Sequence, residues 1–572
     1  MMSDASRQRN AGARLTERLG TVPRDTVSYL SNYAAFLLLE FTALVLLLTS
    51  ILFFARIEIT PYHVAAAFIV TFLTPFVYRS RPEIHGSVSA AALASSFALL
   101  CIATVVFSGC FYDFSFDGQG YRQEAIIQLA NGWNPVYERV PEDVQRSIWI
   151  NHYSKGPWIT AAALYKLTGN IEQGKTFNLL LILASFFLCL SVLLRIKQID
   201  GRIAFIFSLL LALNPVSVYQ TLTFYIDGQL SSLLVCLVAS LTAILLAVDK
   251  LTLASLSFVI LIALNVKFTA VPYVAFIGLG FIVAAALMGK TRPLRRAIWA
   301  SILCFAAGVL VVGYNPYVTN TLYHGHPFFP LFGEGHVDIM DGPKSTPVSL
   351  RGLNRVEKLY QSVFAKSQAS LTAETELKIP LTVTSLDEIR PFGSPSTRIG
   401  GWGPLFSGVL VLSVIGLLWT LVRSPALRKI GLIVMGISAY LLASALIHEE
   451  GWYARFAPQL YCIPVIITMF LVSVHDRVAN IVGGIVAVAL TLNILTIGGV
   501  YLYKNLKWNY KLGNQMAELA RVDGAVQVYF GDFRSTRVRF EKAIPYKEVS
   551  TQAGLACKTP MEIIHATALV CP

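Results

Sequence analysis

Residues 33–55 read YAAFLLLEFTALVLLLTSILFFA, with Glu40 as the single charged side chain. A helix that crosses a bilayer needs about 20 mostly apolar residues, and this run supplies them. Upstream, residues 1–32 are polar and carry Arg7, Arg9, Arg14, Arg18 and Arg24. They read as a cytoplasmic tail, followed by an anchor that stays rather than a signal that is cleaved. Downstream, comparable runs recur at 63–79, 88–111, 174–194, 203–221, 229–248, 252–265, 269–288, 297–314, 404–422, 430–447, 457–474 and 478–500. The sequence therefore predicts an all-α polytopic membrane protein with about 13 transmembrane helices.

Composition agrees. Of 572 residues, 55% are hydrophobic and 14% charged, against about 25% charged in soluble domains. Mean hydropathy is +0.60. The net charge of +13 sits in short basic tracts between apolar runs, not in stretches interleaved with aromatics, so nucleic-acid binding is excluded as its explanation. The eight cysteines contain no CxxC pair, which speaks against a zinc or redox site. Cys557 and Cys571 stand apart in the polar tail and are free to pair if that tail is extracytoplasmic.

Lys and Arg set the orientation. Arg79 and Arg81, Arg195 to Arg202, Lys290 to Arg296, and Arg423 to Lys429 all fall inside when the spans are threaded from a cytoplasmic N-terminus. The same threading puts 112–173, 315–403 and 501–572 outside. The expected organisation is a tail at 1–32, a membrane domain at 33–500 that includes the two long outer loops, and a small mixed extracytoplasmic domain at 501–572. Loop 315–403 is too long for a plain connection, and Pro327-Phe-Phe-Pro330 within it argues for packing.

Five places carry candidate chemistry. The first outer loop begins Phe111-Tyr-Asp113-Phe-Ser-Phe-Asp117-Gly-Gln-Gly-Tyr121, and an amphipathic helix at the membrane surface is expected from Tyr121. Asp117 is either the cap of that helix or a functional acid. His152-Tyr-Ser-Lys155-Gly-Pro157-Trp158 precedes a second amphipathic stretch; Lys155 reads as a snorkelling anchor or a contact to a lipid phosphate. Asp227 stands at the mouth of a span after Asn214-Pro215, where an isolated acid is normally solvated. Lys267 lies between two short apolar half-segments and ahead of Pro272, an expensive place for a charge and so a functional candidate. Arg455, in Glu450-Gly-Trp-Tyr-Ala-Arg455-Phe456-Ala-Pro458, anchors to headgroups or clamps a phosphate with its fork of donors.

The order of these motifs resembles the GT-C superfamily of integral-membrane glycosyltransferases, and within it the branch of protein mannosyltransferases and lipid A aminoarabinose transferases. Asp117, Tyr121, Ala125 and Gly132 match that branch's first outer loop. Lys155-Gly156-Pro157-Trp158, Asp227, Lys267 with Pro272, and Arg455-Phe456-Ala-Pro458 follow in its order. Gly118, Gly156 and Phe456 depart from it. The resemblance implies a GT-C-like fold and a polyprenyl-phosphate sugar donor used at the outer face of the cell's inner (plasma) membrane. It also implies transfer to a hydroxyl of a glycan, lipid or protein acceptor, with inversion, in cell-envelope glycan synthesis or modification. Asp117 would be the base and Asp227 a second catalytic acid. Tyr121, Lys155, Lys267 and Arg455 would bind substrate. A divalent cation is left open, with Asp117 and Asp227 as its carboxylates. Two other readings stand beside this one: a flippase or transporter of lipid-linked sugars, and an O-antigen ligase or polymerase with a pyrophosphate clamp of Arg351, Arg355 and Arg390.

Overall fold

The computed structural model describes residues 23–78, 89–337 and 345–572. Arg7 to Arg18 and the basic pair Arg79 and Arg81 lie outside the described residues, as does part of loop 315–403. The chain is mostly helical, and each of the 13 apolar runs falls on helix. Among the described residues, nine helices are long and apolar enough to cross a membrane, and Pro61–Val77, Gly201–Ala212, Lys250–Val266 and Pro458–Ser473 are shorter apolar helices. The protein is thus a multi-pass membrane protein.

Lipid explains which side chains face out. On the helix Ala90–Gly109, Leu99, Ile102 and Val106 are all more than half exposed. In water that stripe would be an aggregation site; in lipid it is solvated. The interior is built from two apolar cores. One joins Arg24–Phe54 to Thr176–Arg195, Asp227–Leu246 and Lys250–Val266. The other gathers Gly201–Ala212, Phe406–Arg423, Cys462–Ser473 and the early turns of Arg477–Leu519.

Two runs differ from their expected outline. The run 203–221 is broken after Ala212, because Pro215 lacks the N–H that a continuing helix needs. Asn214 caps the restart, accepting from Val216 N–H at 3.0 Å and donating to the Pro458 carbonyl at 2.9 Å. The last run does not stop at 500. Arg477–Leu519 is one helix of 43 residues, and its final turns leave the apolar band to pack Leu512 and Leu519 into a third core. That core is covered by a four-stranded sheet, ordered β2-β1-β4-β3, in which β1 is Val526–Tyr529, β2 Tyr546–Glu548, β3 Met561–Glu562 and β4 Leu569–Cys571. β1 runs parallel to β2 and antiparallel to β4. A Cys557–Cys571 disulfide ties β4 to the segment before β3.

The two ends of the helix bundle differ in chemistry. At one end Arg24 donates to the carbonyls of Leu194 and Ile196, and Arg195 pairs with Asp249 at 3.5 Å. Asp117, Asp227, Lys267 and Arg455 gather at the other end.

Candidate active site

The site begins with a π-helical turn. Gly118–Arg122 closes i→i+5, with Gln123 N–H on the Gly118 carbonyl. Such turns recur at functional sites. This one puts Asp117 and Arg122, five residues apart, on the same face, their charges 3.8 Å apart. The Asp117 side chain makes no cap hydrogen bond, so the capping reading does not hold. Its carboxylate turns to Arg455, which donates from Nη2 to Oδ2 at 3.2 Å.

Asp227 is not solvated. It is fully buried and held on both oxygens: Lys267 Nζ donates to Oδ1 at 2.6 Å and Arg455 Nε to Oδ2 at 2.8 Å. Gln220 adds a third donor at 3.2 Å. Lys267 reaches Asp227 because the chain breaks between Lys250–Val266 and Ala270–Leu287, with Lys267 itself extended (φ −161°). Its ammonium also sits 3.7 Å from the Phe456 ring centroid. Arg455 stacks over Tyr225 at 4.4 Å. Burial works against the Arg455 charge, but Asp227, Tyr453, Tyr225 and Asp117 more than offset it and hold its pKa well above the ordinary value.

Four sequence-predicted residues, Asp117, Asp227, Lys267 and Arg455, thus form one network. Tyr121 borders it through the Arg122 guanidinium, 5.2 Å from its ring. Lys155 does not join. It is buried, and its ammonium donates to the carbonyls of Asn151 and Tyr153 at 2.9 and 3.0 Å and to Asn315 Oδ1. It is not a snorkelling anchor at all. Burial with no acid beside it lowers its pKa well below the usual lysine value. Arg355 and Arg390 also lie apart, on the Leu446 and Ile447 carbonyls and on Asp387.

Two contributors escaped sequence reasoning. Arg122 supplies a third cation and donates to the Phe224 carbonyl at 3.3 Å. Its signal was only a basic residue following Tyr121, at a spacing that α-helical periodicity does not align with Asp117. Asp113 is the other. Oδ1 accepts from Ser115 N–H at 2.7 Å and Oδ2 from Phe224 N–H at 2.8 Å, so one carboxylate ties the Asp117 segment to the Asp227 segment. A Cβ at Gly118 would fall 1.9 Å from Asp113 Oδ2; glycine leaves room for that approach. Burial, opposed in part by Lys175, pushes the Asp113 carboxyl up to about 6.

The helical turns from Gly118 to Ala130 are covered rather than open on a membrane surface. Gln123–Ala130 lies under the C-terminal segment. Arg537 pairs with both oxygens of Glu124, at 2.5 and 3.0 Å, and Ser535 Oγ donates to the Gln119 carbonyl at 2.6 Å. Gln119 in turn donates to the His565 carbonyl at 2.9 Å.

The Asp117 and Asp227 carboxylates, the two acids that a divalent cation would use, are engaged by cations of the protein. The Arg455 guanidinium already bridges Asp117 and Asp227, and among the described residues no group of three or more His, Cys, Asp or Glu could hold a metal ion.

No protein family and no curated protein matches the chain. Among solved structures, it is similar to ArnT from Cupriavidus metallidurans. In the crystal structure bound to undecaprenyl phosphate, identity is 12% and the TM-score 0.43, over 79% of this chain and 86% of that one. For the apo state identity is 12% and the TM-score 0.41, over 80% and 86%.

Proposed function

We propose that the protein is a glycosyltransferase that moves a sugar from a polyprenyl-phosphate donor to an acceptor hydroxyl at the outer face of the membrane. The observation that carries this reading is the Asp117 carboxylate. Its side chain is 24% exposed while its charge partners, Arg122 and Arg455, are nearly buried. An acid that reaches solvent from a bed of cations suits a base beside a departing phosphate. The ordered motifs from Asp117 to Arg455 support the same reading.

In the proposed reaction the acceptor oxygen attacks the anomeric carbon from the face opposite the phosphate. Its proton passes to Asp117. The bond from carbon to phosphate oxygen breaks, and the polyprenyl phosphate leaves with that electron pair. Negative charge grows on the phosphate as it leaves. Lys267, Arg455 and Arg122 exceed the two acids by one positive charge and are arranged to stabilise it in a partly dry site. Asp227 keeps Lys267 and Arg455 in place and acts through them. Lys155 reaches the phosphate only by exchanging one of its present acceptors, so its first role is to hold the loop. The orientation rests on the distribution of Lys and Arg, with a cytoplasmic N-terminus and the site outside.

Purified protein in detergent, given a polyprenyl-phosphate sugar, should consume the donor and release polyprenyl phosphate. A flippase would leave the donor intact, and that result overturns the reading. Mass spectrometry of envelope glycans and sugar lipids, with and without the gene, would identify donor and acceptor.

A further inference from the structure

A second cluster of charges adjoins the Asp117 network. Asp113, Glu172, Lys175 and Arg539 are all buried, two acids against two cations. Glu172 Oε2 accepts from Lys175 at 2.6 Å and from the Asp113 N–H at 3.1 Å. Lys175 also donates to the Phe111 carbonyl, and Arg539 Nη2 donates to the Asp113 carbonyl at 2.7 Å. The cluster thus pins residues 111–113 to the turns Ile171–Lys175 and Arg534–Arg539. Among the described residues, Tyr112 beside Asp113 and Tyr501 of the last helix are the other titratable groups facing it.

One peptide unit joins this cluster to the site. Phe224 N–H donates to Asp113 Oδ2 at 2.8 Å, and the Phe224 carbonyl accepts from Arg122 Nη1 at 3.3 Å. Arg122 in turn stands 3.8 Å from Asp117. The next residue, Tyr225, lies under Arg455 at 4.4 Å, and Asp227 follows two positions on. A shift of the Phe224 peptide would therefore move Arg122, Tyr225 and Asp227 together. Ionised, the Asp113 carboxylate accepts from both Ser115 N–H and Phe224 N–H. Protonated, it carries a hydrogen on one oxygen and is the weaker acceptor. The same proton leaves Lys175 and Arg539 facing Glu172 alone, an uncompensated charge in a buried place. Burial raises the Asp113 carboxyl, Lys175 opposes and Glu172 adds to the rise, and the outcome is about 6.

We propose that Asp113 is a positioning residue for the Asp117 site and that its carboxylate is a proton-operated latch. Ionised, it holds the Phe224 peptide and with it Arg122, Tyr225 and Asp227. Protonated, it releases that peptide, and the site loses its alignment. The latch stands on these contacts alone; only its consequence for sugar transfer rests on the glycosyltransferase reading.

Hydrogen–deuterium exchange of the full chain in detergent reads the latch without any substrate. In peptides spanning residues 220–228, exchange corrected for its intrinsic pH dependence should speed up about tenfold or more from pH 7.5 to pH 5, as Asp113 takes up its proton. Glu172→Gln removes a charge that raises the Asp113 carboxyl and should move the midpoint down. Lys175→Met removes one that lowers it and should move the midpoint up. Asp113→Asn keeps an acceptor for only one of the two N–H groups and should exchange fast at both pH values. Should that variant not fold, the opposed shifts of the other two still decide. Exchange that ignores pH, or a pH step that persists in Asp113→Asn, overturns the proposal. Donor turnover should fall about tenfold over the same interval, with a midpoint that follows the exchange midpoint in Glu172→Gln and Lys175→Met. A turnover midpoint that stays put in both overturns the positioning role. Absence of turnover at every pH sinks the glycosyltransferase reading instead, and the exchange result then judges the latch by itself.

Discussion

Arg455 Nε lies 2.8 Å from Asp227 Oδ2 across a sequence separation of 228 residues. The same guanidinium reaches Asp117 at 3.2 Å, so one side chain aligns two acids from distant parts of the chain. A lysine has one charged nitrogen and cannot copy that fork. Arg455→Lys should therefore keep the fold and lower kcat by about 10²-fold or more, as loss of a preorganised charge donor does. Arg455→Leu leaves Asp227 with Lys267 and Gln220 as its side-chain donors and should cost about 3–5 kcal/mol of stability. Thermal unfolding in detergent alongside donor turnover separates the two effects.

Asp117→Asn retains the shape and most hydrogen bonding but cannot take a proton. Transfer should fall by at least ~10²-fold, the lower range for general-base catalysis, while membrane insertion and yield stay unchanged. Wild-type turnover in this variant would sink the assignment of Asp117 as the base.

The contact between Arg537 and Glu124 tests the role of the C-terminal segment. Both side chains are largely buried and the pair is bidentate. Arg537→Ala should cost about 1.5–3 kcal/mol and raise protease sensitivity in the first outer loop. A double-mutant cycle with Glu124→Gln should show strong coupling. Additive effects would mean that the two do not act on each other.

His152 gives a pH signature. Burial lowers its pKa from 6.5 to about 4, with the Asn320 hydrogen bond partly opposing. Between those values the unfolded chain binds the proton and the folded chain does not, so stability contributed by neutral His152 is present above pH 6.5 and is lost as pH falls toward 4. His152→Gln should flatten that part of the melting-temperature profile. An unchanged slope between pH 6.5 and 4 would refute the contribution.

Much of the fold is legible in the sequence because lipid enforces it: a span must be a long apolar run, and a charge such as Lys267 stands out inside one. The limits are equally physical. The apolar run after Arg477 ends near Val500, whereas the helix continues to Leu519 on a narrow buried strip, which a hydropathy reading cannot follow. Lys155 looked like a headgroup lysine because its cage includes Asn315, 160 residues away. Arg122 was missed because a π-helical turn shifts which residues share a face. Asp117, Asp227, Lys267 and Arg455 were each visible as isolated charges, but their pairing depends on long-range packing that no local pattern encodes.

The contacts of the C-terminal segment with Gln119 and Glu124 also have a temporal side. The residues that make them, Ser535, Arg537 and His565, are synthesised more than 400 positions after Asp117. A ribosome reaches them only when the bundle is nearly all made, minutes or less into translation at typical rates of about 5–20 residues per second. Until then the Asp117 loop lacks its cover. The cover over Gln119 and Glu124 is therefore among the last features of the fold to form.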